Sequence, residues 1–183
     1  MPKKSKKTKA VSPAKRKKHQ QIAGLMAAHL KKKAAAEKAK AKQCFSFRLM
    51  KDLYSRHGIQ KKPLGTEKIW DNNVVRPKIE KQIEKKIAKG TNLNLRTLKG
   101  YFKKLDQLSS LPEKERAKLK RDLKSVLGEA DKLTGEIHLL GEAVNSGLLK
   151  GEDRIIALNA WDALRQILIS WKPYAQLVLE SLK

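Results

Sequence analysis

The chain has 183 residues, with 43 Lys plus Arg against 18 Asp plus Glu and a formal net charge of +25. Such an excess calls for a polyanion; nucleic acid heads the candidates because each neutralised phosphate releases a condensed counterion, while an anionic membrane surface or an acidic protein would meet the same charge. The single cysteine, Cys44, excludes an internal disulfide, the four scattered histidines (His19, His29, His57, His138) offer no zinc spacing, and no apolar run approaches the roughly 18 residues of a membrane span.

The charge is unevenly placed. Residues 1–43 hold 15 basic and 1 acidic side chains, residues 44–120 hold 20 and 8, and residues 121–183 hold 8 and 9. A cationic front and a neutral back follow. Three regions are expected: a basic arm over 1–43, a basic helical region over 44–111, and a C-terminal helical bundle or dimerisation region over 112–183.

The arm begins MPKKSKKTKAVSPAKRKK, with two prolines and almost no apolar side chains. It has too little to bury to offset the entropy of ordering, so disorder is expected to about residue 18. Its cations fall in two clusters, Lys3, Lys4, Lys6, Lys7 and Lys9, then Lys15, Arg16, Lys17 and Lys18. These are candidate phosphate contacts, with a solubilising tail or a nuclear-import signal as the plainer alternatives. Ser12-Pro13-Ala14-Lys15 resembles the SPxK-type elements of linker-histone tails; phosphorylation of Ser12 would weaken phosphate binding. A secretory signal is disfavoured because Lys31, Lys32 and Lys33 follow the short apolar stretch Ile22 to Leu30 without a clean cleavage site, and a mitochondrial presequence because the arm has only Arg16. From His19 to Gln43 alanine and lysine predict a helix, at least when a partner neutralises its lysines, and Lys31 to Lys33 join the candidate contacts.

Residues 44–62 carry Phe45, Leu49, Leu53 and Tyr54 at helical spacing, with Gly58 as the stop. Pro63, Gly65 and Asp71 to Asn73 mark a loop anchored by Trp70. Pro77 suits the first turn of a helix whose Ile79, Ile83 and Ile87 form an apolar stripe amid Lys78, Lys81, Lys85, Lys86 and Lys89. Gly90 to Asn94 break the pattern, and a further helix is expected through Leu98, Tyr101, Phe102 and Leu105. Ala88, Asn92, Leu93, Leu98 and Tyr101 resemble the spacing of a helix-turn-helix, although Gly90 and Asn92 depart from its usual residues. That resemblance implies a reading helix in the major groove, with Asn94, Arg96, Thr97 and Lys99 near base edges and Lys103 and Lys104 on phosphates. The alternative is a plain helical hairpin with lysines on its wet face.

Pro112, Glu113 and Glu115 open the next helix. Leu119, Leu123, Val126, Ala130, Leu133, Ile137, Leu140 and Val144 step by four and three along it, a heptad seam. Gly128, Gly135 and Gly141 argue against a free-standing coiled coil and for a helix packed in a bundle or broken at a glycine. After a turn at Asn145 to Gly151, the last helix is apolar round much of its circumference, from Ile155 through Trp161 to Trp171, and must be buried on several sides. Pro173 is expected to kink or end it. No strand pattern or internal repeat is present.

Catalytic constellations fare poorly. Cys44 and His57 make a nucleophile and base on paper, but a helix-face cysteine is ordinarily a packed small hydrophobe. Glu113 with Glu115 and Glu152 with Asp153 are explained by helix starts, and no glycine loop cradles phosphate. The expectation is an all-α, non-enzymatic protein without a cofactor or metal, binding nucleic acid, DNA ahead of RNA. A homodimer or a protein partner is expected at the C-terminal helices. Its place is intracellular: cytoplasm or nucleoid in a bacterium, nucleus in a eukaryote. The rival is a helical adaptor for an acidic protein.

Overall fold

The computed structural model describes residues 13–56 and 75–182. The described residues form seven helices and no strand: α1 Pro13–Gln43, α2 Phe45–Arg56, α3 Val75–Ile87, α4 Leu95–Phe102, α5 Leu105–Leu108, α6 Glu113–Asn145 and α7 Gly151–Ser181. The all-α expectation holds. Gly58, the loop from Pro63 to Asn73 and Trp70 lie outside the described residues.

By its contacts the chain divides into residues 1–37 and residues 38–183. The first unit is helical from Pro13, which corrects the expectation of disorder for residues 13–18; residues 1–12 lie outside the described residues. Proline supplies a preset φ and needs no N–H at a helix start, and the Ala, Lys and Gln that follow spread one nucleation cost over many turns. The sequence argument weighed only burial, whereas this helix is built from local backbone hydrogen bonds.

In the second unit one apolar cluster runs from Ala41 to Leu182, so the basic middle and the C-terminal helices share a core. Helix α7 is its axis. It packs most extensively on α6 and also touches α2, α3, α4 and α5. Ala157, Ala160, Ala163 and Ala175 lie buried along it beside Leu164, Ile167 and Trp171. Small side chains let neighbouring backbones approach, and large ones fill what remains. The helix continues past Pro173 to Ser181, so the proline does not end it.

Helix α6 is unbroken over 33 residues, through all three glycines. Of the expected seam only Ile137 is not fully buried. Gly141 lies beside Trp161 of α7, whose indole Nε1 a Cβ there would meet at 3.4 Å, an ordinary contact distance. A hydrogen bond from Lys172 Nζ to Asp131 Oδ1 at 2.8 Å fixes the same antiparallel register about three turns away.

The α2 face is turned slightly from expectation. Ser46, Phe47, Met50, Leu53 and Tyr54 are buried, while Phe45 and Leu49 are half-buried. The turn is explained by Glu136 of α6, whose Oε2 accepts from Ser46 N at 3.2 Å and Ser46 Oγ at 3.0 Å, while its Oε1 accepts from Lys86 Nζ at 3.2 Å. One carboxylate thus satisfies the start of α2 and ties α3 to α6. Lys86 also lies 4.1 Å over the Phe45 ring, which accounts for that ring's outward position. Deeper in, Asn159 Nδ2 of α7 donates to the Tyr54 hydroxyl, pairing two buried polar groups.

Two buried acids set the alkaline limit of the fold. Burial pushes the Cys44 thiol up to about 11, with Glu136 adding to the effect, and burial pushes the Tyr54 hydroxyl up to about 12. In the unfolded chain these protons leave near pH 9 and pH 10. Between those values and the folded ones the unfolded state binds fewer protons, so stability falls as pH rises. The urea midpoint should decline from about pH 9 towards pH 12, each group contributing on the order of 2 kcal/mol. Tyr54→Phe should reduce the decline above pH 10; an unchanged profile would show that the hydroxyl is not held neutral.

Candidate nucleic-acid interface

Helix α3 ends at Ile87, its Ile79, Ile83 and Ile87 buried as expected. The chain then turns through Gly90, whose φ of +76° is open to glycine at little cost. Gly90 therefore lies beyond the helix and helps end it. Thr91 Oγ1 donates to Ala88 O at 3.0 Å and accepts from Leu93 N at 3.3 Å, so the turn satisfies itself and buries Leu93.

The start of α4 is closed. Asn94 Oδ1 accepts from Thr97 N at 2.8 Å and Thr97 Oγ1 at 2.9 Å. Glu84 Oε1, reaching from α3, accepts from Leu95 N at 2.9 Å. A carboxylate thus occupies the place where an incoming phosphate would seek free N–H groups. Direct packing between α3 and α4 is slight, and each docks separately on α7. The residues suggested for base reading divide accordingly: Asn94 and Thr97 serve as the cap, while Arg96 and Lys99 are exposed.

Helix α4 stops at Phe102, and the expected single helix through Leu105 is interrupted at Lys103 and Lys104 before the short α5. Leu98 before the break and Leu108 after it are both buried. The break leaves Lys103 and Lys104 in solvent. Phe102, one of the apolar residues of the expected helix, is 37% exposed. Its ring meets Tyr174 of α7 edge-on at 5.1 Å, and Lys99 Nζ lies 5.7 Å from the Tyr174 centroid.

The antiparallel register of α6 and α7 brings the first turns of α6 beside the last turns of α7, the end where α4 and α5 also dock. Residues 96–124 carry 10 basic and 4 acidic side chains, against 3 and 7 over residues 129–162. The start of α6 and the segment before it are therefore rich in cations, whereas the acids farther along α6 and α7 meet cations of other helices, Lys42 on Asp153 and Lys86 on Glu136. No family model matches this chain, and no curated protein or solved structure does. The cationic segment must therefore be read from its own chemistry.

In the other unit Lys15, Arg16, Lys17, Lys18, Lys31, Lys32 and Lys33 are all exposed. Four successive cations, and then three, advance about 100° per residue, so α1 presents charge around its whole circumference. Lys3, Lys4, Lys6, Lys7 and Lys9 lie outside the described residues. The same helix exposes Ile22, Leu25, Met26 and Leu30, with Leu25 at 73%. Their spacing puts them on one face, a signal the sequence held but which invites no attention without knowledge that these side chains are exposed among the described residues.

Among the described residues no group of three or more metal-ligating side chains occurs, and no helix is long and apolar enough to cross a membrane.

Proposed function

We propose that this protein binds nucleic acid without catalysing a reaction on it, as an accessory or regulatory factor of DNA replication, transfer or packaging. RNA binding, as on a ribosome or its precursor, is the variant. The observation that carries the reading is the acid-free run of exposed cations Arg96, Lys99, Lys103 and Lys104, in a chain whose α1 also exposes Lys15 to Lys18 around its circumference. Arg96, Lys99, Lys103 and Lys104 are assigned to phosphates, together with the lysines of the arm. Contacts of this kind give affinity and position, with little sequence information. The cap formed by Asn94, Thr97 and Glu84 weighs against α4 as a reader of base edges. The raised pKa of Cys44 is the opposite of what a nucleophile requires, which favours a binding role over a catalytic one. Such a role belongs inside a cell, at the nucleoid of a bacterium or in the nucleus of a eukaryote.

A salt titration tests it. Full-length protein should bind duplex DNA with a log affinity that falls linearly with log salt, and converting Arg96, Lys99, Lys103 and Lys104 together to Gln should reduce the slope by roughly 3 to 4. A flat salt response would end the proposal.

One observation favours the adaptor reading. An open groove between α6 and α7 is lined by Ile137, Leu168, Ile169, Arg165 and Lys172, with Ile169 59% exposed. An amphipathic helix with acidic flanks would suit it. Such a partner would compete with nothing at the cationic segment, so binding there should survive Ile169→Asp.

A further inference from the structure

The stretch Arg96 to Leu105 contains four basic side chains and no acidic one. In the middle of it sits an aromatic ring that the fold leaves partly in water. Leu98 in the same helix is fully buried, so Phe102 is exposed by its place on α4 and not because α4 lacks a core to pack on. The ring is also braced. Its edge-on contact with Tyr174 joins it to the central helix, and Tyr174 itself lies near the Lys99 ammonium. A braced ring loses little conformational freedom when something stacks on it, and Arg96, Lys99, Lys103 and Lys104, all exposed, lie within six residues of it in the chain.

We infer that Phe102 is a stacking platform for an unpaired base, so that this end of the protein holds a single strand in preference to a duplex. The inference rests on the nucleic-acid reading above and gives it a substrate class. An aromatic face with lysines beside it supplies the two elements of single-strand binding, a π surface for the base and cations that track the phosphates. A duplex keeps its bases stacked on one another and has no free base face to offer this ring. The sealed start of α4 points the same way, because capping by Glu84 and Asn94 removes the helix end with which a major-groove reader would approach base pairs. A basic protein partner would be repelled by this acid-free stretch. An acidic one would use the cations, but it gives no reason for the aromatic face to matter to a nucleic acid.

The test uses the full chain and three probes of equal length: an oligothymidylate, an oligouridylate and a mixed-sequence DNA duplex, each followed by fluorescence anisotropy at one salt concentration. Two variants separate stacking from packing. Phe102→Leu keeps apolar bulk against Tyr174 and removes the π face; Phe102→Trp keeps and enlarges it. Phe102→Leu should weaken single-strand binding by about tenfold while leaving duplex affinity within about twofold, and Phe102→Trp should bind the single strands at least as well as the unaltered protein. The single strand more weakened by Phe102→Leu identifies the source, DNA or RNA. Equal weakening on duplex and single strand, no weakening on either, or a Trp variant as weak as the Leu variant overturns the stacking role. If the unaltered protein binds the duplex with a steep salt response and Phe102→Leu changes nothing, only the stacking role falls. If it binds none of the three probes, the nucleic-acid reading falls with it.

Discussion

Deleting residues 1–37 should lower affinity for duplex DNA at about 100 mM salt by roughly a thousandfold and flatten its salt dependence markedly. The deleted stretch carries 12 basic side chains and 1 acidic one. Each phosphate neutralised on B-DNA contributes roughly −0.9 to the slope of log affinity against log salt, so engagement of even half of those cations removes about 5 from it. The remainder keeps 31 basic and 17 acidic side chains, so a weaker, still salt-sensitive binding should persist. It also keeps the whole apolar cluster from Ala41 to Leu182, so its helical signal and denaturation midpoint should be little changed. A truncated protein that bound as tightly and with the same slope would show that the arm is a bystander. Complete loss of binding would place the entire grip in the arm and leave Arg96, Lys99, Lys103 and Lys104 without a role.

The largest stability effect should come from Trp171→Ala, at about 3 to 5 kcal/mol. Trp171 is among the largest fully buried side chains and stands on α7, the helix that every other long element of the folded unit packs against. Truncation removes a large apolar surface from burial and leaves a cavity that rigid neighbours fill only in part. Urea denaturation followed by circular dichroism should show the loss as a lower midpoint with an unchanged slope, and thermal unfolding should fall by roughly 10 °C. Ile169→Ala, two residues earlier on the exposed side of the same helix, should stay within about 0.5 kcal/mol. Comparable effects at the two positions would mean that α7 is not buried as described.

Much of the helical framework was legible because apolar spacing and punctuation agreed. Pro77 and the isoleucine stripe of α3, the seam of α6, the turn at Asn145 to Gly151 and the all-round apolar character of α7 each follow from local residues. Where local signals conflicted, the outcome went to packing. The glycines of α6 argued for a break, but a helix clamped along its seam by α7 tolerates the cost of each. The run from Leu98 to Leu105 argued for one helix, yet the chain breaks at Lys103 and Lys104 between α4 and α5. Low apolar content argued for disorder before residue 18, but helix propensity needs no core.

The candidate interface was legible as charge and not as geometry. Composition alone determined that the protein is strongly cationic, that the cations crowd the first two thirds of the chain, and that the elements are helices. These depend on residue type and on spacing within a few turns. Which cations share a surface, that Glu84 closes the start of α4, that Glu136 holds α2 and α3 on α6, and that Phe102 faces water were decided by tertiary structure alone. Each depends on residues 11 to 90 positions apart in the chain being brought within hydrogen-bonding or ring-contact distance. A one-dimensional pattern gives the period of a helix face but not the rotation at which that face meets its neighbours. That rotation leaves α4 with a capped start, exposed Arg96 and Lys99, and an aromatic ring 37% exposed.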